Sequence, residues 1–134
     1  MPEEIYPVEL TAPDIEPYRK GNIGIDFVTS FDSGKPGPHV MINAITHGNE
    51  VCGAIALDYL FRANVRPTHG KLTLGFVNHL AYSNFDPDNP GLSRFVDEDF
   101  NRVWTEDRLD GLEVTAELRR ARELRPVFDT VDLL

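Results

Sequence analysis

His47 and Glu50 stand three residues apart in the run Thr46-His-Gly-Asn-Glu50. Side chains at this spacing share a face on a first helical turn, so an imidazole and a carboxylate can converge on one cation, and zinc accepts both donor types. A Glu that caps a helix beside a surface His has the same spacing, and the pair alone fits either case. A second cluster, Arg94-Phe-Val-Asp-Glu-Asp-Phe-Asn-Arg102, follows later in the chain. Arg102 offers a planar fork matched to a carboxylate, Asn101 can donate beside it, and Arg94 has the charge to polarise a carbonyl. Asp97 and Asp99 are placed to hold those arginines. Taken alone, the cluster also fits a solvated mixed-charge loop.

For these groups to meet, two loops must reach the same end of a sheet. His39 to Ile45 is an apolar run of strand length bounded by Pro38 and the Gly48 region, and it reads as a central strand buried on both faces. His47 then lies at the carboxyl end of that strand, where open α/β sheets bind ligands. Residues 49–64 place Val51, Ala54, Ile55, Leu57 and Phe61 at helical spacing after Asn49. Beyond the breaks at Pro67 and Gly70, residues 71–78 read as a second strand, and the strand-helix-strand order predicts parallel pairing with a right-handed connection.

An earlier strand is expected over residues 23–31, closed by the turn Ser33-Gly-Lys-Pro-Gly-Pro38. The polar segment 78–110 is too long for a plain connector and carries Arg94, Asn101 and Arg102. Val114, Leu118, Ala121 and Leu124 predict a helix over 113–125 that ends near Pro126, and Val131, Leu133 and Leu134 open a further strand. The fold class is α/β, a mixed, largely parallel sheet flanked by helices. Pro2, Pro7, Pro13 and Pro17 make residues 1–22 an extended, loosely packed lead-in.

Length and composition set the outer limits. With 134 residues, 41% of them hydrophobic and 26% charged, the chain suits one globular domain. A net charge of −9 repels a phosphate backbone and argues against nucleic acid, so an anionic small molecule would need local arginines to hold it. Cys52 is the only cysteine, which excludes an intrachain disulfide and favours a reducing compartment. The acidic N-terminus does not match a signal peptide and no apolar run reaches membrane-spanning length, so a cytoplasmic location without membrane contact is expected. Cys52 and Trp104 read as packing residues.

Together, Thr46-His-Gly-Asn-Glu50 after a strand and Asp99-Phe-Asn-Arg102 with Arg94 upstream resemble the succinylglutamate desuccinylase/aspartoacylase branch of the zinc carboxypeptidase-like hydrolases, over about residues 23–134. The resemblance implies Zn²⁺ held by His47 and Glu50, a substrate carboxylate bound by Asn101 and Arg102, and a scissile carbonyl assisted by Arg94. The implied activity is hydrolysis of an amide bond in a small carboxylate-bearing N-acyl amino acid. Asn78-His79 departs from the Asn-Pro common in the family. The family's third ligand, a His in the strand expected from about Val131, and its general-base Glu would both fall beyond Leu134. The chain is therefore expected to be the N-terminal portion of a catalytic domain, inactive by itself, with an open sheet edge through which copies could associate. His79 is the one internal histidine placed to substitute as a ligand. A non-catalytic binding module or degenerate fragment, and a peptide carboxypeptidase, are the alternatives.

Overall fold

Three strands form one sheet in the order β1-β3-β2, with β1 at Val28–Asp32, β2 at His39–Ala44 and β3 at Lys71–Phe76. The computed structural model describes residues 4–134. β2 runs parallel to β3, from His39 opposite Lys71 to Ala44 opposite Phe76. β1 runs antiparallel to β3, from Val28 opposite Gly75 to Asp32 opposite Lys71. The parallel β2-α1-β3 unit is as expected, but the described sheet is evenly mixed and not largely parallel. The turn after β1 reverses the chain, and β3 then inserts between β1 and β2, so β1 must oppose β3.

This insertion also corrects the place of β2. β3 is the middle strand, and its residues Thr73 to Phe76 are all buried. β2 lies at the sheet's side, burying Met41 and Ala44 while leaving Ile42 exposed. Along its outer edge, Val40 forms a parallel bridge with Leu133, and the Met41 N–H donates to the Leu133 carbonyl at 2.9 Å. The apolar tail thus begins to pair as the sequence suggests, by one bridge.

Helices cover both faces. α1 (Val51–Arg62) crosses from β2 to β3 and turns Val51, Ala54 and Leu57 inward, Ala54 and Leu57 joining a cluster that includes Phe27, Leu74 and Phe76. Cys52 is exposed, because one residue's step of about 100° around the helix carries it off that face. The short α2 (His79–Tyr82) follows β3, and α3 (Glu106–Leu109) sits within the long polar segment. α4 (Ala116–Phe128) packs Leu118, Ala121 and Leu124 against Val28, Met41 and Val77 on the opposite face. It runs through Pro126, since losing one backbone bond close to the helix end is offset by burying Val127 and stacking Phe128 on Trp104 at 4.8 Å.

The proline-rich lead-in is not uniformly loose. Residues 4–6 and 9–11 are exposed, but Ile15 is buried, and Tyr18 stacks on Phe61 at 4.2 Å while donating to Asp58 at 2.6 Å. Tyr82 donates to the Pro13 carbonyl at 2.5 Å, so an apolar anchor and two phenols hold a segment that lacks regular pairing. Residues 1–3 of the lead-in lie outside the described residues. No helix among the described residues is long and apolar enough to cross a membrane.

Candidate active site

At the carboxyl ends of β2 and β3 the chain makes two close turns. After Ala44 the backbone enters a left-handed conformation at Ile45, with φ 54°, which a β-branched residue adopts only under constraint. The constraint comes from full burial and from β3: the Val77 N–H donates to the Ala44 carbonyl at 2.9 Å and the Asn78 N–H to the Ile45 carbonyl at 3.1 Å. This bend sends Thr46 to Glu50 across the sheet end before α1 begins. Gly48 is required at the tightest point, because a Cβ there would lie 2.2 Å from the Ser93 carbonyl oxygen and 2.6 Å from the Tyr82 backbone nitrogen. Its N–H donates to the Arg94 carbonyl at 3.1 Å, so the two motifs read from the sequence touch through backbone.

His47 is buried between two carboxylates. Its Nδ1 lies 3.3 Å from Glu50 Oε1, and its Nε2 lies 2.9 Å from Asp99 Oδ1. Glu50 Oε1 also accepts the His47 backbone N–H at 2.7 Å, which folds the carboxylate back over the loop. Asp99 is a hub. Its Oδ1 accepts the Asn101 backbone N–H at 2.9 Å and its Oδ2 accepts from Arg94 at 3.1 Å. The bond from His47, the Asn101 N–H and the Arg94 guanidinium, in that order, hold the Asp99 carboxyl well below the usual carboxylate range.

The donor chemistry fits a divalent zinc ion on the Nδ1 side of His47, where an imidazole nitrogen and the Glu50 carboxylate face one another. In the tautomer that gives Nε2–H to Asp99, the Nδ1 lone pair is left for a metal, and a carboxylate on the far nitrogen of a ligating His is the usual outer support. Asp99 itself meets the other side of the ring. Among the described residues no three His, Cys, Asp or Glu side chains come together as a metal-binding set.

His79 does not supply the missing donor. Its ring tilts over Phe27 at 4.6 Å and lines a cavity of about 380 Å³ with Asp14, Arg19 and Tyr82, a cavity that does not include His47. Burial, Arg120 and Arg19 push its pKa down to about 4. His39 is at the opposite end of the sheet, bonded through Nε2 to Thr73 Oγ1 at 2.6 Å, and His69 is exposed.

Asn101 and Arg102 follow Asp99 on a 3-10 turn, Phe100–Arg102, pinned by buried Phe100. Both side chains are exposed, and the Arg102 guanidinium donates to the Asn101 carbonyl at 3.4 Å. Beside them opens a cavity of about 390 Å³ lined by Asn43, Thr46, Val77, Phe100, Trp104 and Leu134 as well as Asn101. The larger share of its wall is apolar, and Thr46 places it next to His47. Arg94 meets Asp99 as expected, whereas Asp97 holds no arginine: its carboxylate accepts the Ala116 N–H at 2.7 Å at the start of α4. The sequence places Asp97 with Asp99 to hold the arginines, but the loop turns Asp97 toward the helix N-terminus, where unpaired amides compete for an anion.

Sequence reasoning also passed over Glu117. This fully buried carboxylate accepts the N–H groups of Val96 at 3.1 Å, Asp97 at 2.7 Å and Glu98 at 3.1 Å, the three residues that lead into Asp99. A signal existed, since residues 117, 121 and 124 share the apolar stripe of α4 and a charged residue on such a stripe needs a buried partner.

Comparison with curated proteins and with solved structures gives no match. A family model, the succinylglutamate desuccinylase/aspartoacylase catalytic domain, matches residues 36–133, which include β2, both motifs and α4. The chain therefore belongs to the succinylglutamate desuccinylase/aspartoacylase family of hydrolases.

Proposed function

We propose that these residues form part of the active site of a zinc-dependent deacylase that hydrolyses the amide bond of a small N-acyl amino acid, on a zinc carboxypeptidase-like fold. The observation that carries this is the His47 arrangement: Nε2 bonded to Asp99 at 2.9 Å, and Nδ1 turned to Glu50 at 3.3 Å. His47 and Glu50 would hold the ion. When bound, zinc supplies Lewis-acid activation of water and of the scissile carbonyl. Asp99 fixes the imidazole's tautomer and holds the Arg94 guanidinium at 3.1 Å. Arg94, half exposed, donates to charge that develops on the carbonyl oxygen. Arg102 and Asn101 anchor the substrate carboxylate, and the apolar cavity beside Asn101 takes the uncharged part of the substrate.

Two protein ligands fall short of the three that catalytic zinc commonly has, and among the described residues no third His, Cys, Asp or Glu completes a metal-binding set with them. We place the third ligand and the base outside residues 1–134, so that this chain binds carboxylate ligands and zinc weakly without turnover. An amidase assay with added zinc on a panel of N-acyl amino acids, paired with calorimetry on the same compounds and their carboxyl-amidated forms, tests this. Weak binding that needs the free carboxylate, without hydrolysis, is expected. Equal binding of the amidated forms would remove the carboxylate anchor, and hydrolysis by this chain would remove the claim that its site is incomplete.

A further inference from the structure

The buried carboxylate of Glu117 has no place in the proposed chemistry, yet its surroundings point at the site. It stands on the first turn of α4 with no solvent exposure. Its Oε1 accepts from the amides of Asp97 and Glu98, at 2.7 and 3.1 Å, and its Oε2 from the amide of Val96 and from Asn78 Nδ2, each at 3.1 Å. Consecutive backbone N–H groups turned to one point make an anion-binding concavity, and this chain fills the concavity with its own carboxylate. The docking is reciprocal. Asp97 accepts the Ala116 N–H at 2.7 Å, and Glu98 accepts the Thr115 hydroxyl at 2.6 Å.

Segment 96–98 is thus clamped to the helix; Asp99 follows it directly and Arg94 stands two residues before it, and the Arg94 guanidinium meets Asp99, which in turn meets His47. Asn78 extends the clamp to the other motif, because its own N–H donates to the Ile45 carbonyl at 3.1 Å, just before Thr46 and His47. From this geometry we infer that Glu117 is a positioning residue: it fixes the 96–98 backbone so that Asp99 keeps its hold on His47 Nε2. The inference rests on the proposed metal role of His47 for its functional meaning, but its structural content is independent of zinc.

Glu117→Gln is the direct perturbation. Each carboxylate oxygen accepts two bonds, so a carboxamide nitrogen in either place loses both and sets a donor against donors. Val127→Ala serves as the stability control, since Val127 is buried ten residues further along the same helix and lines a cavity with His39 and Lys71, at the opposite end of the sheet from His47. The metal-free chain is measured by amide hydrogen exchange and by imidazole ¹⁵N shifts at a pH where the His47 ring is neutral. Expected for Glu117→Gln is at least about tenfold faster exchange at Val96, Asp97 and Glu98 than in Val127→Ala, with β3 unchanged, and loss of the Nε2–H tautomer preference of His47.

A folded Glu117→Gln that keeps the parent's His47 signature overturns the inference, as does the same loss in Val127→Ala. Should Glu117→Gln not fold, Glu117→Asp keeps the charge but draws the carboxylate back from the three amides, and an unchanged His47 signature there is equally contrary. Zinc titration separates the two claims. Weaker zinc binding in Glu117→Gln supports both, whereas a parent that binds no zinc removes the metal role while the exchange and tautomer results still decide the positioning role.

Discussion

Gly48→Ala adds one carbon at the point where the two motifs touch. That carbon would lie 2.2 Å from the Ser93 carbonyl oxygen, 2.4 Å from the Ala81 carbonyl carbon and 2.6 Å from the Tyr82 nitrogen, against ordinary contacts of 3.4–4 Å. All three neighbours are backbone, so no side chain can swing aside, and relief requires separating the loops by roughly 1 Å. Overpacking of this kind costs about 1–3 kcal/mol, and the Gly48 N–H bond to the Arg94 carbonyl at 3.1 Å, worth about 1 kcal/mol, is strained or lost with it. The expected destabilisation is about 2–4 kcal/mol in urea unfolding. Gly91→Ala is the comparison, because nothing lies within 4 Å of its added carbon and its effect should stay within about 0.5 kcal/mol. Equal stability of the two variants would refute the close approach of these loops.

Other consequences follow from individual side chains. Arg102→Lys keeps the charge but removes the planar fork, and calorimetry should show binding of an N-acyl amino acid weakened by about ten- to a hundredfold, corresponding to roughly 1.5–3 kcal/mol. Unchanged affinity would move the carboxylate anchor elsewhere. His79 is held neutral to about pH 4 in the folded chain but takes a proton near pH 6.5 once unfolded, so it contributes stability above pH 6.5 that is lost as pH falls toward 4. Discounted for the partial exposure of the ring, the loss is about 1–2 kcal/mol. His79→Phe keeps the contact with Phe27 and should flatten that part of the stability-pH curve; a curve as steep as the parent's would contradict the assignment.

The candidate site was legible where local spacing coincides with the end of an element. His47 and Glu50 could be placed because a strand of apolar residues stops just before them, and Arg94, Asn101 and Arg102 because the segment holding them is too polar and too long to be a plain connector. The strand order was not legible. Whether β3 pairs with β2 on one side only, or inserts between β1 and β2, depends on contacts between residues far apart in the chain, such as Ser30 Oγ with Thr73 Oγ1 at 2.9 Å, which no local pattern encodes. The acids divided for a similar reason. Asp97 and Asp99 are two apart and look equivalent, but the turn between them sends one to the α4 N-terminus and the other to His47.

The most direct test of the account is a zinc titration of the chain followed by the ¹⁵N shifts of all four imidazoles. Nδ1 of His47 should respond first, its Nε2–H should persist on Asp99, and Glu50→Gln should weaken the response while leaving His39, His69 and His79 unaffected. A first response from His79 or another histidine, or from His47 through Nε2, would contradict the proposed metal site.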